Sequence, residues 1–281
     1  MSTPTFSVII PTRDRHELLA ECLERIAPGR QTLASDQYEV IVTDDGRTDA
    51  ARAFVASRFP WARWSQGPRR GPASNRNSGA AAAVADVLVF LDDDCIPETD
   101  LLAGYFAALT DSVAVYEGRI TCNDGITSPL QTAPLNLEGG ALWSCNLAIR
   151  RSAFELVGGF DERFPLPHME DVDLRERLLA AGNRIEFVRG ASVDHPPRVL
   201  PFGTRLARMH QAAVLYMTLH PPRRRLLWFL QNTLRARVSQ VAHKQWSADS
   251  IVAIASVPFE LGAIAWCWRR WMRWADSVTQ A

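Results

Sequence analysis

Three consecutive carboxylates, Asp92, Asp93 and Asp94, directly follow the apolar run Val87-Leu88-Val89-Phe90-Leu91. Like charges this close raise one another's pKa and weaken a fold unless a cation or strong donors hold them. Hard divalent ions take such oxygens, usually one or two carboxylates completed by water and a ligand's phosphates. The run therefore reads either as a metal-diphosphate site or as a solvated acidic turn capping a helix that starts near Asp100. Two more polar clusters stand at comparable points, Thr12-Arg13 in the loop Pro11 to Asp14 after the strand candidate Phe6 to Ile10, and Asp44-Asp45-Gly46 after Tyr38 to Val42.

The segments before these clusters are continuous apolar runs, the pattern of strands buried on both faces of a parallel sheet. Helical spacing separates them. Leu18, Leu19, Cys22, Leu23 and Ile26 recur at that spacing and stop at Pro28-Gly29, a second helix spans residues 50 to 57 behind Asp49, and an Ala-rich helix spans Asn75 to Ala85. Strand, helix, strand, helix, strand in the first 90 or so residues predicts a doubly wound α/β sheet. Ligands of such sheets bind beyond the carboxyl ends of the strands, where all three clusters fall. No G-x-G-x-x-G follows the first strand and no G-x-x-x-x-G-K-[ST] occurs, so dinucleotide and P-loop chemistry lose their main support.

Beyond residue 113 the pattern becomes mixed. Val113 to Tyr116, the neighbourhood of Ile120, Trp143 to Ile149 and Arg184 to Val188 are strand candidates, and 123 to 140, rich in Pro, Gly and Leu, is expected to be a mobile or an acceptor-facing loop. The five cysteines form no C-x-x-C pair, so neither a zinc site nor a disulfide framework is expected. The N-terminus enters a strand within six residues, no signal peptide is expected, and the reading is cytoplasmic. A net charge of zero hides a polarity: residues 1–195 hold 19 Arg and 28 Asp+Glu, whereas 196–281 hold 11 Arg, one Lys and 3 Asp+Glu.

SVIIPTRDR at 7–15, VIVTDDGRTD at 40–49, GPASNRNSGAAAA at 71–83, VLVFLDDDC at 87–95, NLAIRRSAFELVGGFDERF at 146–164 and MEDVDLRERLLAAG at 169–182, with Asp194-His195, resemble in order the family 2 glycosyltransferases of GT-A fold. Arg47 departs from the Ser that commonly follows Asp-Asp-Gly there. The resemblance implies a mixed, mainly parallel sheet with helices on both faces over residues 1–200, its nucleotide-sugar half at 1–112 and its acceptor half at 113–200. It implies an inverting, metal-dependent enzyme moving a sugar from a nucleotide-sugar to a glycan or lipid-linked acceptor in bacterial glycan biosynthesis. Asp94 and His195 would hold Mn²⁺ or Mg²⁺, and Asp92 and Asp93 the ribose and donor sugar. Pro11, Thr12, Arg13 and Asp44 would meet the base, with Arg70, Arg76 and Asn77 also on the donor side and Arg69 an alternative. Asp171, beside Glu170, would be the catalytic base, and Trp143 and Asn146 would meet the acceptor. The rival reading is a sugar-nucleotide-binding scaffold that has lost turnover.

Residues 201–281 lie outside the resemblance and form a helical, basic, Trp-rich extension. Pro258 and Glu260 interrupt its longest apolar stretch, so no membrane-spanning helix is expected. On a helical wheel Arg269, Arg270 and Arg273 group together while Trp268, Trp271, Met272 and Trp274 spread over the opposite face. That composition suits a helix lying on an anionic membrane, with docking on the catalytic domain or a homodimer partner as the alternatives. No nucleic-acid-binding motif accompanies the arginines, and no nucleic acid partner is expected.

Overall fold

The structure, a computed structural model, describes residues 3–164, 166–200, 204–220, 225–242 and 244–280. Pro165, in the loop expected before the Glu170 helix, and Pro201, at the start of the extension, lie outside them. In chain order the elements are β1 (Phe6–Thr12), α1 (His16–Ile26), β2 (Tyr38–Asp44), α2 (Ala50–Arg58), β3 (Arg63–Gln66), α3 (Pro72–Ala82), β4 (Val87–Leu91), β5 (Ile96–Pro97), α4 (Leu101–Ala108) and β6 (Val115–Thr121). There follow β7 (Gln131–Thr132), β8 (Asn146–Arg150), α5 (Arg151–Leu156), α6 (Glu170–Ala180), β9 (Ile185–Asp194), β10 (Arg198–Val199), α7 (Thr204–Leu219), α8 (Leu226–Ala242) and α9 (Ala248–Gln280). The chain forms two compact units, one of residues 1–123, 134–165 and 170–196, the other of 124–133, 166–169 and 197–281.

The first unit holds an eight-stranded sheet in the order β3-β2-β1-β4-β8-β6-β9-β5. Strands β3, β2, β1 and β4 are parallel, while β8 runs antiparallel between β4 and β6. Burial on both faces explains the unbroken apolar runs. Val8, Ile10, Val89 and Leu91 pack with Leu19, Leu23 and Tyr105 of α1 and α4, and the intervening Ile9, Leu88 and Phe90 pack with Ala80, Phe154, Phe160 and Leu174 on the opposite side. Because a sheet's side chains alternate, each strand needs apolar residues at every position to serve two helix layers.

Two local features carry the site residues to the sheet edge. α3 begins at Pro72 rather than Asn75, since Gly71 takes φ 109° and proline suits a first helical position. Gly79 lets this helix lie close on β1, where a Cβ would collide with the Ile9 side chain. β9 continues past Val188 to Asp194 across a register shift opposite Gly118/Arg119. Arg189-Gly190 ends the apolar pattern in sequence, but the irregularity lets the strand resume and deliver Asp194-His195 to the edge. β8 starts at Asn146, three residues later than the apolar pattern suggests, because Trp143 to Asn146 closes a turn through Asn146 N–H donating to Trp143 O at 3.1 Å.

In the second unit α7 and α8 both pack on α9, and β7 pairs with β10. α9 is one 33-residue helix running through Pro258, long and apolar enough by length and composition to cross a membrane, so the expected interruption is corrected. Glu260 is tolerated because it is not alone: it accepts from His210 Nε2 of α7 at 2.7 Å and from Arg237 Nε and Nη2 of α8 at 2.8 and 2.9 Å. The wheel reading is corrected as well. Trp268 and Trp271 are buried, Trp268 against the Phe229 ring at 5.5 Å, so they form the interior of the helical unit.

Candidate active site

Parallel pairing of β1 with β2 and β4 aligns their carboxyl ends, so Thr12, Asp44 and the acidic run meet at one edge. Asp92 is held by one arginine, whereas Asp93 and Asp94 share another. Asp92 Oδ1 accepts from Arg76 Nη2 at 2.6 Å. Asp93 Oδ2 accepts from Thr12 Oγ1 at 2.7 Å and Arg15 Nε at 3.1 Å, with Arg15 Nη2 2.5 Å from Oδ1. Asp94 Oδ2 accepts from Arg15 Nη1 at 3.2 Å, while its Oδ1 lies 3.4 Å from His195 Nε2. Burial, opposed by Arg15 and Thr12, pushes Asp93 up to about 7. The run is therefore a held charge cluster rather than a solvated turn.

Arg15 is a site residue the sequence reading missed. It follows the strand by three residues and its guanidinium spans Asp93 and Asp94. A second cation in T-R-D-R beyond a strand that faces an acidic run was the available signal.

Arg76 joins the acidic run to the α6 end. Its Nη1 donates to Glu170 Oε1 at 3.1 Å, its guanidinium lies 5.5 Å from the Phe160 ring centre, and it is buried. Burial would lower its pKa, yet Asp92 and Glu170 hold it above the ordinary value. Glu170 is pushed up to about 7 by burial and by neighbouring Asp171, with Arg76 opposing. Asp171 is also raised, by burial first, with Arg76 opposing and Asp92 contributing. Its Oδ2 accepts from Ser144 N–H at 3.4 Å and its Oδ1 from Val172 N–H at 2.8 Å. A carboxylate raised in this way, at a helix start, suits proton acceptance.

The residues fit a divalent cation. His195 Nδ1 lies 2.9 Å from the Pro196 carbonyl, an acceptor, which puts the ring proton on Nδ1 and turns the Nε2 lone pair toward Asp94. An imidazole and a carboxylate at this spacing are ligands one such ion takes together. Cys95 lies in the same cluster, but its thiol donates to Cys145 O at 3.5 Å, and that bond together with burial raises it well above its ordinary value. A thiol kept protonated is a poor ligand.

The remaining expected residues divide. Asp44 is buried and accepts from Gly46 N–H at 2.7 Å, while Asp45 takes the Arg69 and Gly71 N–H groups at 2.9 and 3.1 Å and folds the basic loop back onto the strand end. Pro11 is buried beside Thr12, and Arg13 is exposed at the same edge. Two of the residues expected on the donor side have their bonds elsewhere. Asn77 is one helical step from Arg76 and points elsewhere, exchanging hydrogen bonds with the Phe160 backbone at 2.8 and 2.9 Å. Arg70 is exposed and pairs with Glu162 at 2.8 Å instead of turning to the acidic run.

On the acceptor side Asn146 also has its bonds elsewhere. It is fully buried, accepting from Tyr105 Oη at 2.8 Å and donating to Arg119 O and Ala191 O at 2.9 and 3.0 Å, so it ties three strands together and offers an acceptor nothing. Trp143 is half-buried with its Nε1 donating to Leu135 O at 3.1 Å. The preceding loop is fixed by Glu117, whose carboxylate accepts from Gly140, Ala141 and Leu142 N–H at 2.5, 2.9 and 2.9 Å and from Asn136 Nδ2 at 3.1 Å. Glu117 was not anticipated, although a lone acid inside an apolar strand is a signal for a buried carboxylate with work for its oxygens.

The chain is similar to known proteins in sequence and in fold. The sequence profile described as Glycosyl transferase family 2 matches residues 7–156. The pre-mycofactocin glycosyltransferase of Mycobacterium tuberculosis is 31% identical over 211 residues, which cover 68% of this chain and 43% of that protein. The GalNAc(5)-diNAcBac-PP-undecaprenol beta-1,3-glucosyltransferase of Campylobacter jejuni is 31% identical over 112 residues, 38% of this chain and 33% of that one. The chain thus spans less than half the length of these two relatives. The mannosyltransferase PcManGT from Pyrobaculum calidifontis, solved with GDP-Man and Mn²⁺, shares the fold at TM-score 0.57 and 18% identity, over 98% of this chain and 85% of that one.

Proposed function

The chain belongs to glycosyl transferase family 2, and from that premise we propose that it is an inverting glycosyltransferase moving a sugar from a nucleotide-sugar to a glycan or lipid-linked acceptor. What supports this most is the buried Arg76 bridge, which ties Asp92 of the acidic run to Glu170 beside Asp171. Through this shared cation the carboxylate taken as donor-side stands next to the helix start taken as acceptor-side, the adjacency that a single displacement between two substrates uses.

In this reading Thr12, Arg13 and Asp44 receive the base, and Asp92 and Asp93 the ribose and donor sugar. Asp94 and His195 would hold Mn²⁺ or Mg²⁺, which when bound supplies Lewis-acid neutralisation of the diphosphate. Arg15, already on Asp93 and Asp94, adds fixed positive charge where the leaving diphosphate gathers negative charge. Asp171 takes the proton from the acceptor hydroxyl, and Glu170, held by Arg76, keeps the helix start in place. Attack opposite the departing nucleotide inverts the anomeric centre. Trp143, on the loop bolted by Glu117, meets the acceptor sugar. A lipid-linked acceptor implies a chain working peripherally at the inner face of a cell membrane, to which the basic extension is suited.

The test separates binding from chemistry. With Asp171→Asn, titration of the nucleotide-sugar should give an affinity within a few-fold of wild type while turnover falls about 10²–10⁴-fold, the usual share of a general base. Transfer at the wild-type rate would remove Asp171 from its role, and binding without turnover in both proteins would favour a scaffold.

A further inference from the structure

A helix that packs one side on its neighbours ordinarily shows polar residues on the other. α9 does not. Its packed side carries Ser250, Glu260, Ile264, Trp268, Trp271 and Ala275. On the outward side Ile251, Ile254, Phe259 and Trp266 are 59%, 47%, 74% and 87% exposed, and no charged residue stands among the exposed positions from 251 to 266. That apolar strip is about 22 Å long at 1.5 Å per residue. Immediately after it, on the same outward side, come exposed Arg269, Arg270 and Arg273. Apolar and basic residues are therefore segregated along the axis rather than around it.

Charge decides what can cover such a face. A second copy packed antiparallel would set the arginines against the apolar strip, and a parallel copy would set them against each other. Neither gives them a carboxylate, because the outward face from 251 to 273 has none. A bilayer supplies both requirements in the observed order: acyl chains for the strip, the interface for Trp266, and phosphates for the arginines.

We propose that the outward face of α9 is a docking surface for an anionic lipid bilayer, entered obliquely with residues 251–266 in the acyl boundary and Arg269, Arg270 and Arg273 among the headgroups. The proposal deepens, and rests on, the reading of a lipid-linked acceptor by naming the face that meets its membrane.

Sedimentation of the full chain tests it, using vesicles of phosphatidylcholine alone and of phosphatidylcholine with one third phosphatidylglycerol. Wild type should pellet with the anionic vesicles, less so as salt rises. Phe259→Glu with Trp266→Glu should leave the protein in the supernatant with both vesicles. Replacing Arg269, Arg270 and Arg273 by Gln should cut the preference for anionic vesicles about 100-fold, about five-fold per arginine. Circular dichroism should match wild type in both variants, since every altered side chain is exposed. Wild type remaining in the supernatant with both vesicles would overturn the proposal. So would a dimer seen by light scattering that the double Glu variant dissociates while vesicles are never bound, which would give the face to a second copy. Because sedimentation reads no turnover, vesicle binding without sugar transfer would fault the enzymatic reading, and transfer without vesicle binding would fault this one.

Discussion

Replacing Arg76 by Met, a side chain of similar reach without charge, should destabilise the sheet-bearing unit in a pH-dependent way. The guanidinium sits 2.6 Å from Asp92 and 3.1 Å from Glu170, and Glu170 has nowhere to turn for solvent. Breaking a buried pair by removing one partner costs about 3–5 kcal/mol, because the other charge stays buried. Glu170 can escape that cost by binding a proton. Its folded pKa of about 7 already exceeds the ordinary carboxylate value, so its contribution favours folding at low pH and is lost as pH rises through about 7. Arg76 is one of the groups holding that value down, so the variant's folded pKa lies higher still. Below about 7 the two proteins share the same slope. Above it wild-type Glu170 has ionised while the variant's has not, and the penalty grows by about 1.4 kcal/mol per pH unit. Urea unfolding by far-UV circular dichroism at about pH 6 and about pH 8.5 should therefore show a penalty larger by about 2 kcal/mol at the higher pH. The helical unit contributes the same signal to both proteins. A penalty under about 1 kcal/mol, or one equal at both pH values, would refute the buried bridge.

The same geometry sets three more outcomes. Asp171 must be ionised to accept a proton and its pKa is raised, so turnover should fall on acidification through a pH above the usual carboxylate range; a pH–rate profile with no such acid limb would contradict the assignment. Glu117→Gln exchanges an acceptor of four hydrogen bonds for an amide with one acceptor oxygen, which should cost about 1–3 kcal/mol and expose residues 136–142 to limited proteolysis, whereas an unchanged cleavage pattern would free the loop from Glu117. Glu260→Gln should lower the melting temperature of the helical unit at neutral pH by breaking its shared bond to His210 and Arg237; since those bonds, against burial, hold Glu260 at about 2, below its ordinary 4.5, the difference should shrink steadily as pH falls below 4.5 and be gone at about 2, and a difference independent of pH over that range would contradict the pairing.

The strands that align Thr12, Asp44 and the acidic run were legible because a doubly buried strand must be apolar at every position, and the polar residue that ends it marks the sheet edge. What sequence could not show was direction off that edge. Arg76 and Asn77 are adjacent in the chain, yet one bridges two carboxylates and the other ties down the turn at Phe160. Asn146 sits in a stretch that matches the family, but only the pairing of β8 beside β6 and β9 reveals that its amide is spent on Arg119 and Ala191. The extension was read from a wheel with no knowledge of which side packs. Trp268 and Trp271 looked like a membrane face and are interior, while Trp266, two residues earlier, faces outward. Periodicity gives the amphipathic faces of a helix, and the neighbours alone decide which one is covered.

In the proposed mechanism one site binds a nucleotide-sugar through the acidic run and activates its acceptor through Asp171. Nucleotide release from a panel of UDP-, GDP- and dTDP-sugars, with and without Mn²⁺, tests it most directly when run on wild type, Asp94→Asn and Asp171→Asn. Release should occur from one donor, require the metal and be lost in both variants. Release that is independent of the metal, or retained by either variant, would contradict the mechanism.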